Sequence, residues 1–212
     1  MSATKFTIVR HGETEWNKTL QLQGHKDSPL TKKGIAQAEL LAETIKSRKF
    51  DNLITSDLGR AIHTAQIINK NLKLSIIIDR NLRERAFGIM EGLTREEVKA
   101  KYKDAFEGYT NRVSSYEIPD GESLVEFNKR VIEAFQQIAR NYKGKSILMV
   151  AHGGILDCLI RKIFNMELSS NRPFTLYNTS VNSISIEGDR WILEEWGNTD
   201  HLQQTAVLNE IN

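Results

Sequence analysis

Short β-branched, apolar runs alternate along this chain with longer stretches whose apolar positions recur every three or four residues. This alternation limits the possible folds more than any other feature. The runs Lys5–Val9 (KFTIV), Asn52–Thr55 (NLIT), Leu74–Ile78 (LSIII) and Ser146–Val150 (SILMV) are the length of strands and read as such. Between them, Ile35, Ala38, Leu41, Ala42 and Ile45 mark one face of a helix over Thr31–Arg48, and a second helical pattern covers Leu58–Asn69. Thr94 with Glu97 fits a capping box opening a helix toward Tyr102. Ser123 with Glu126 caps the clearest helix, reaching Tyr142, with Leu124, Phe127, Val131, Ala134, Phe135 and Ile138 on one face. Ile155–Phe164 is apolar nearly all round and predicts a buried helix. Val181–Ile186 and Trp191–Trp196 flank the turn Glu187–Asp189 and read as a β-hairpin. Strands alternating with helices imply a mainly parallel sheet covered on both faces.

The 212 residues suffice for a sizeable core and read as one domain over 1–212. Hydrophobic residues make up 40% and charged residues 26%, the balance of an ordinary globular chain. The net charge of +2 gives no reason to expect nucleic acid or a membrane as partner. Cys158 is the single cysteine, so an intrachain disulfide and a Cys-rich zinc site are excluded, and it reads as a small core residue. The start MSATKFTIVR lacks a basic segment followed by a long apolar one, and no stretch is long enough to span a bilayer. A cytoplasmic protein is therefore expected, with homo-oligomerisation left open.

Two of the apolar runs end alike. FTIV leads into Arg10-His11-Gly12, and SILMVA leads into His152-Gly153. In open α/β sheets the ligand crevice lies beyond the carboxyl ends of the strands, so these ends are expected at one site. Arg60 follows the second strand at a helix start. Guanidiniums at such positions are poor core residues but good oxyanion partners, because their planar fork matches phosphate oxygens. A helix N-terminus would add backbone N–H donors. Gly12 and Gly153 would let a ligand's oxygens approach the backbone. A phosphate held there is open to attack by neutral imidazole, and phosphoryl transfer needs mainly alignment and charge stabilisation. His11 is assigned as nucleophile and His152, protonated, as transition-state stabiliser, although residues alone permit the reverse.

A leaving alkoxide needs a proton. Glu84, in RNLRERAFG after the third strand, is the candidate acid, and then base for water. Arg83 and Arg85 flank it, so a structural ion pair is the competing reading, and Glu91 is the nearest rival carboxylate. Histidines with Glu84 could also suggest a divalent ion, but two arginines aimed at the same spot would repel it, so an anion is expected and no metal. His63 reads as a helix-face residue, His201 as structural, Trp191 and Trp196 as hairpin packing, and Lys99, Lys101 and Lys103 as a solvated face.

In order and spacing, RHGETEWN, LTKKGIAQA, SDLGRAIHTA, LRERAFGIMEG, GESLVEFNKRV and VAHGG resemble the histidine phosphatase superfamily, and within it the phosphoglycerate mutase-like branch. The resemblance implies a three-layer α/β/α sandwich and a phosphohistidine intermediate on His11. It implies a phosphate pocket of Arg10, His11, Arg60 and His152, with Glu84 as proton donor and no cofactor. Asn17, Gln23 and Gly24 are implied as further substrate contacts, whereas His25 receives no role. The cofactor-dependent mutases of the branch carry a long insertion rich in Arg and Pro after the acid loop. Here Met90–Glu122 holds one proline, Pro119, and two arginines, Arg95 and Arg112. That short link, and His152-Gly153-Gly154 where mutases tend to have His-Gly-Asn, resemble the broad-specificity phosphatases. The expected activity is hydrolysis of a small phosphomonoester. Phosphoglycerate mutase is the alternative, and a silent phosphate-binding protein a third.

Overall fold

The computed structural model describes residues 2–202. Its framework is a six-stranded sheet of order β3-β2-β4-β1-β5-β6, formed by β1 (Thr4–Arg10), β2 (Asn52–Thr55), β3 (Ile76–Ile78), β4 (Ser146–Ala151), β5 (Val181–Glu187) and β6 (Arg190–Asn198). β3, β2, β4 and β1 run parallel, and β5 and β6 continue the sheet antiparallel as the expected hairpin.

Strand alternation divides the core between two faces. Ile147, Met149 and Ala151 of β4 pack with Phe6 and Ile8 of β1 against α6 (Leu124–Asn141) and α7 (Gly153–Phe164). Leu148 and Val150 face the other way, toward Leu41 and Ile45 of α2 (Lys32–Ile45) and Ala61, Ala65 and Ile68 of α3 (Gly59–Leu72). The result is the expected three-layer sandwich. Buried Phe127, Val131 and Phe135 anchor α6, each contributing about 1.5–3 kcal/mol by apolar burial. Cys158 is buried among them, and burial pushes its thiol pKa well up.

Local signals place most ends. Thr31 caps α2 by accepting from Gly34 N, and full capping boxes open α4 (Arg95–Lys101) at Thr94 and α6 at Ser123. Some elements differ from the reading of the sequence. α7 begins at Gly153, earlier than its apolar run. β3 is shorter than Leu74–Ile78 because Leu74 exchanges two hydrogen bonds with the Asn69 side chain, at 2.8 and 2.7 Å, instead of joining the ladder. The short α1 (Glu15–Lys18) and α5 (Lys103–Thr110) were not legible. α4 and α5 enclose a separate small core of Met90, Val98, Ala105 and Ile118, beside the carboxyl ends of the strands.

Candidate active site

β1 and β4 are hydrogen-bonded neighbours in register Arg10↔Ala151, and His11 N donates to Ala151 O at 3.0 Å. Adjacent parallel strands therefore deliver His11 and His152 side by side, with ring centroids 5.3 Å apart and planes inclined at 58°. His11 Nδ1 lies 2.8 Å from Gly12 O. A carbonyl only accepts, so Nδ1 carries the proton and Nε2 the lone pair. Burial, then Arg60 and Arg10, holds the His11 pKa well below its ordinary value, so the ring is neutral near pH 7.

His152 is fully buried, and neither ring nitrogen has a protein partner. Burial, then Arg60, His11 and Arg10, depresses its pKa as well. The protonated ring expected at the transition state is therefore not the resting form of His152. In the protein alone it is neutral, because two guanidiniums and a low-polarity surround both oppose a third cation.

The arginines are held from behind. Arg10 Nη1 donates to Leu176 O. Arg60 donates to Lys26 O at 2.9 Å, Asp27 Oδ1 at 3.0 Å and Gly24 O at 2.8 Å. In both, the buried Nε has no partner. Burial lowers the Arg10 pKa to about 10 and lowers that of Arg60 too, with Asp27 opposing. Arg10 therefore remains charged at neutral pH.

Glu84 stands at the mouth of α7. Its Oε2 accepts from Gly154 N at 2.9 Å and its Oε1 from Arg85 N at 2.8 Å. Neither flanking arginine forms the ion pair considered from sequence. Arg83 turns to Asp57, and Arg85 Nε donates to Glu122 O. The rival Glu91 is committed to the backbone N–H groups of His25, Lys26 and Phe87. His25 places its Nε2 3.0 Å from Glu84 O.

One other expectation is corrected. The α3 N-terminus does not offer its Arg60 N–H to a ligand, because the Asp27 carboxylate accepts it at 3.2 and 3.3 Å. Gly12 is required for packing, since a Cβ there would lie 2.5 Å from Gly34 O. Gly153 sits against Arg10, whose Nε is 3.5 Å from where a Cβ would stand. Asn17 closes the capping box of α1, its Oδ1 accepting from Thr14 N. Gln23 is buried with Oε1 unpartnered. Gly24, at φ +54°, supports Arg60 through its carbonyl, and a Cβ there would strike the Glu91 carboxylate. His63 is exposed on α3, His201 meets Thr179 Oγ1 at 3.1 Å, and Trp191 and Trp196 pack on the core.

Beside Arg10, Glu84 and Gly153 opens a cavity of about 180 Å³, walled also by Arg85, Phe87, Tyr109, Arg112, Phe127, Asp157, Arg172 and Leu176. Sequence reasoning missed most of this wall, which comes from separated segments. Arg85, next to Glu84, was visible only as a flanking charge, and nothing local marks Arg172. Arg112 crosses from the loop after α5 to Asp157 of α7, at 3.0 Å. Among the described residues, no group of three or more His, Cys, Asp or Glu side chains is arranged to hold a metal ion, and no helix is long and apolar enough to cross a membrane.

Buried arginines and paired imidazoles gather beyond the carboxyl ends of β1 and β4 on a three-layer α/β fold. The sequence model of the histidine phosphatase superfamily (branch 1) matches residues 6–199, and the chain belongs to that superfamily. It is 37% identical over 208 residues to phosphoglycerate mutase-like protein 4 of Arabidopsis thaliana, covering 96% of this chain and 89% of the relative. Among solved structures it is similar to Bacillus stearothermophilus YhfR, with TM-score 0.88, 32% identity, and coverage of 95% of this chain and 100% of that one. It is also similar to a putative alpha-ribazole-5'-P phosphatase of Escherichia coli, with TM-score 0.86, 26% identity, and coverage of 93% and 98%.

Proposed function

We propose that the protein is a metal-independent phosphatase acting on small phosphomonoesters through a phosphohistidine on His11. The observation that carries this reading is the state of His11. Its Nδ1–H is tied to Gly12 O, which leaves Nε2 as a neutral nucleophile beside His152 and two buried arginines. Nε2 attacks phosphorus, the ester P–O bond breaks, and the Glu84 carboxyl gives its proton to the departing alkoxide. Water then attacks the phosphohistidine, Glu84 takes the water's proton, and the P–N bond breaks to release inorganic phosphate. Arg10, Arg60 and His152 neutralise charge on the transferring group. A dianionic phosphate would favour protonation of His152 once bound.

The cavity is small, which suits a small alcohol better than a macromolecule. Arg85 and Arg172 on its wall favour a substrate carrying a second acidic group. That feature also suits the second reading, phosphoglycerate mutase, which would return the phosphoryl group to a phosphoglycerate. The short Met90–Glu122 link supports hydrolysis. The test is p-nitrophenyl phosphate hydrolysis with EDTA present, alongside a coupled mutase assay with and without 2,3-bisphosphoglycerate. Chelator-resistant hydrolysis is expected, and strong bisphosphoglycerate-dependent isomerisation would reverse the choice.

A further inference from the structure

Arg130, on α6, lies outside the wall of the reaction cavity, yet all five of its N–H donors are taken up by the segments around Glu84. Nη1 donates to Asn81 O at 2.8 Å and Arg83 O at 3.1 Å, and Nη2 donates to Glu84 O at 3.2 Å. Nε and Nη2 also grip the two oxygens of Glu122, each at 2.8 Å. Glu122 completes the frame on the far side of Glu84. Its Oε2 accepts from Ala86 N at 2.9 Å, its carbonyl accepts from Arg85 Nε at 2.9 Å, and its N–H donates to Ala86 O at 3.0 Å. The backbone is therefore held at Arg83, at Glu84 itself and at Ala86. The guanidinium also lies 5.1 Å from the centre of the Phe127 ring, a member of the cavity wall.

We infer that Arg130 and Glu122 form a positioning clamp for Glu84, setting where its carboxyl meets the leaving oxygen without touching substrate. The inference rests on the reading of Glu84 as proton donor. Three carbonyls and a carboxylate converge on one planar fork, a geometry that a lysine's single ammonium cannot reproduce. The clamp should therefore govern protonation of the leaving group, with little influence on phosphate binding.

The test compares kcat/KM for p-nitrophenyl phosphate, whose leaving group departs as a stable anion, with that for phenethyl phosphate, whose alkoxide needs a proton. Arg130→Lys keeps the charge and much of the stem. In it, kcat/KM for phenethyl phosphate should fall about 10- to 100-fold, and that for p-nitrophenyl phosphate by no more than about threefold. Glu122→Gln should show the same selectivity, and thermal melting verifies that both variants fold. Equal losses on the two esters, or none, in Arg130→Lys and Glu122→Gln would overturn the clamp. Glu84→Gln goes through the same panel. If it too lacks selectivity, Glu84 is not the donor and the clamp falls with it. If Glu84→Gln is selective and the clamp variants are not, the clamp alone is wrong.

Discussion

His11 and His152 stand 5.3 Å apart, ring centre to ring centre, yet their environments differ in one decisive bond. His11 Nδ1 is tied to Gly12 O, whereas neither nitrogen of His152 has a protein partner. A fixed tautomer suits a nucleophile, and an uncommitted ring suits a group that gains a proton as charge arrives. His11→Ala should lose at least about 10³-fold in turnover and form no acid-labile, base-stable phosphoprotein, whereas His152→Ala should lose about 10²- to 10³-fold and still form it. Rapid quench with labelled substrate separates the two. Label retained in His11→Ala would mean the roles are exchanged.

Gly154 allows Glu84 its place. A Cβ at 154 would lie 2.0 Å from Glu84 Oε1 and 2.9 Å from Phe127 Cε1. The Glu84 side chain is flexible and would move. Gly154→Ala should therefore lose about 10-fold or more in kcat/KM on unactivated alkyl phosphates and, because the buried Phe127 ring must also yield, melt modestly below the wild type. Unchanged kinetics would show that the carboxyl's position is not critical.

Gly34 is a packing glycine. Its Cβ would stand 2.0 Å from Glu13 O and 2.7 Å from Glu13 N, which are backbone atoms with little room to yield. Gly34→Ala should destabilise the fold by about 1–3 kcal/mol, read from the urea midpoint. An unchanged midpoint would mean that α2 shifts freely against the loop after β1.

The histidines also set a pH dependence of stability. Burial depresses His11 and His152 well below 6.5 and brings His201 to about 4. The unfolded chain has ordinary histidines, near pKa 6.5. As pH falls below that value the unfolded form takes up protons that the native form resists. The stabilisation is complete above about 6.5 and is lost progressively toward the folded-state values, for His201 through about 4. The urea midpoint should drop between about pH 7.5 and pH 5 with an unchanged slope, and His201→Gln should remove part of the drop. A flat profile would count against neutral, buried imidazoles.

Much of the fold was legible because its signals are local. The capping boxes at Thr94 and Ser123, the apolar stripe of α6 and the short apolar run of β4 all lie within a few residues of what they specify. Arg10, His11 and His152 could be brought to one crevice because strand ends in a parallel sheet share an edge. By contrast, α5 has no strong cap, and its apolar residues acquire a purpose only from the small core under Phe87 and Tyr109.

What the sequence by itself determined is the order of elements, the sheet type and the residues available for phosphate chemistry. Each follows from side-chain pattern over one turn or one strand. Only the tertiary structure decided how those residues are used. It gave the α3 N–H of Arg60 to Asp27, made Gly12 a contact for Gly34, left His152 neutral, and wrapped Arg130 around the backbone of Glu84. Those outcomes depend on groups far apart in the chain and on burial that exists only once the layers close. No local propensity encodes them.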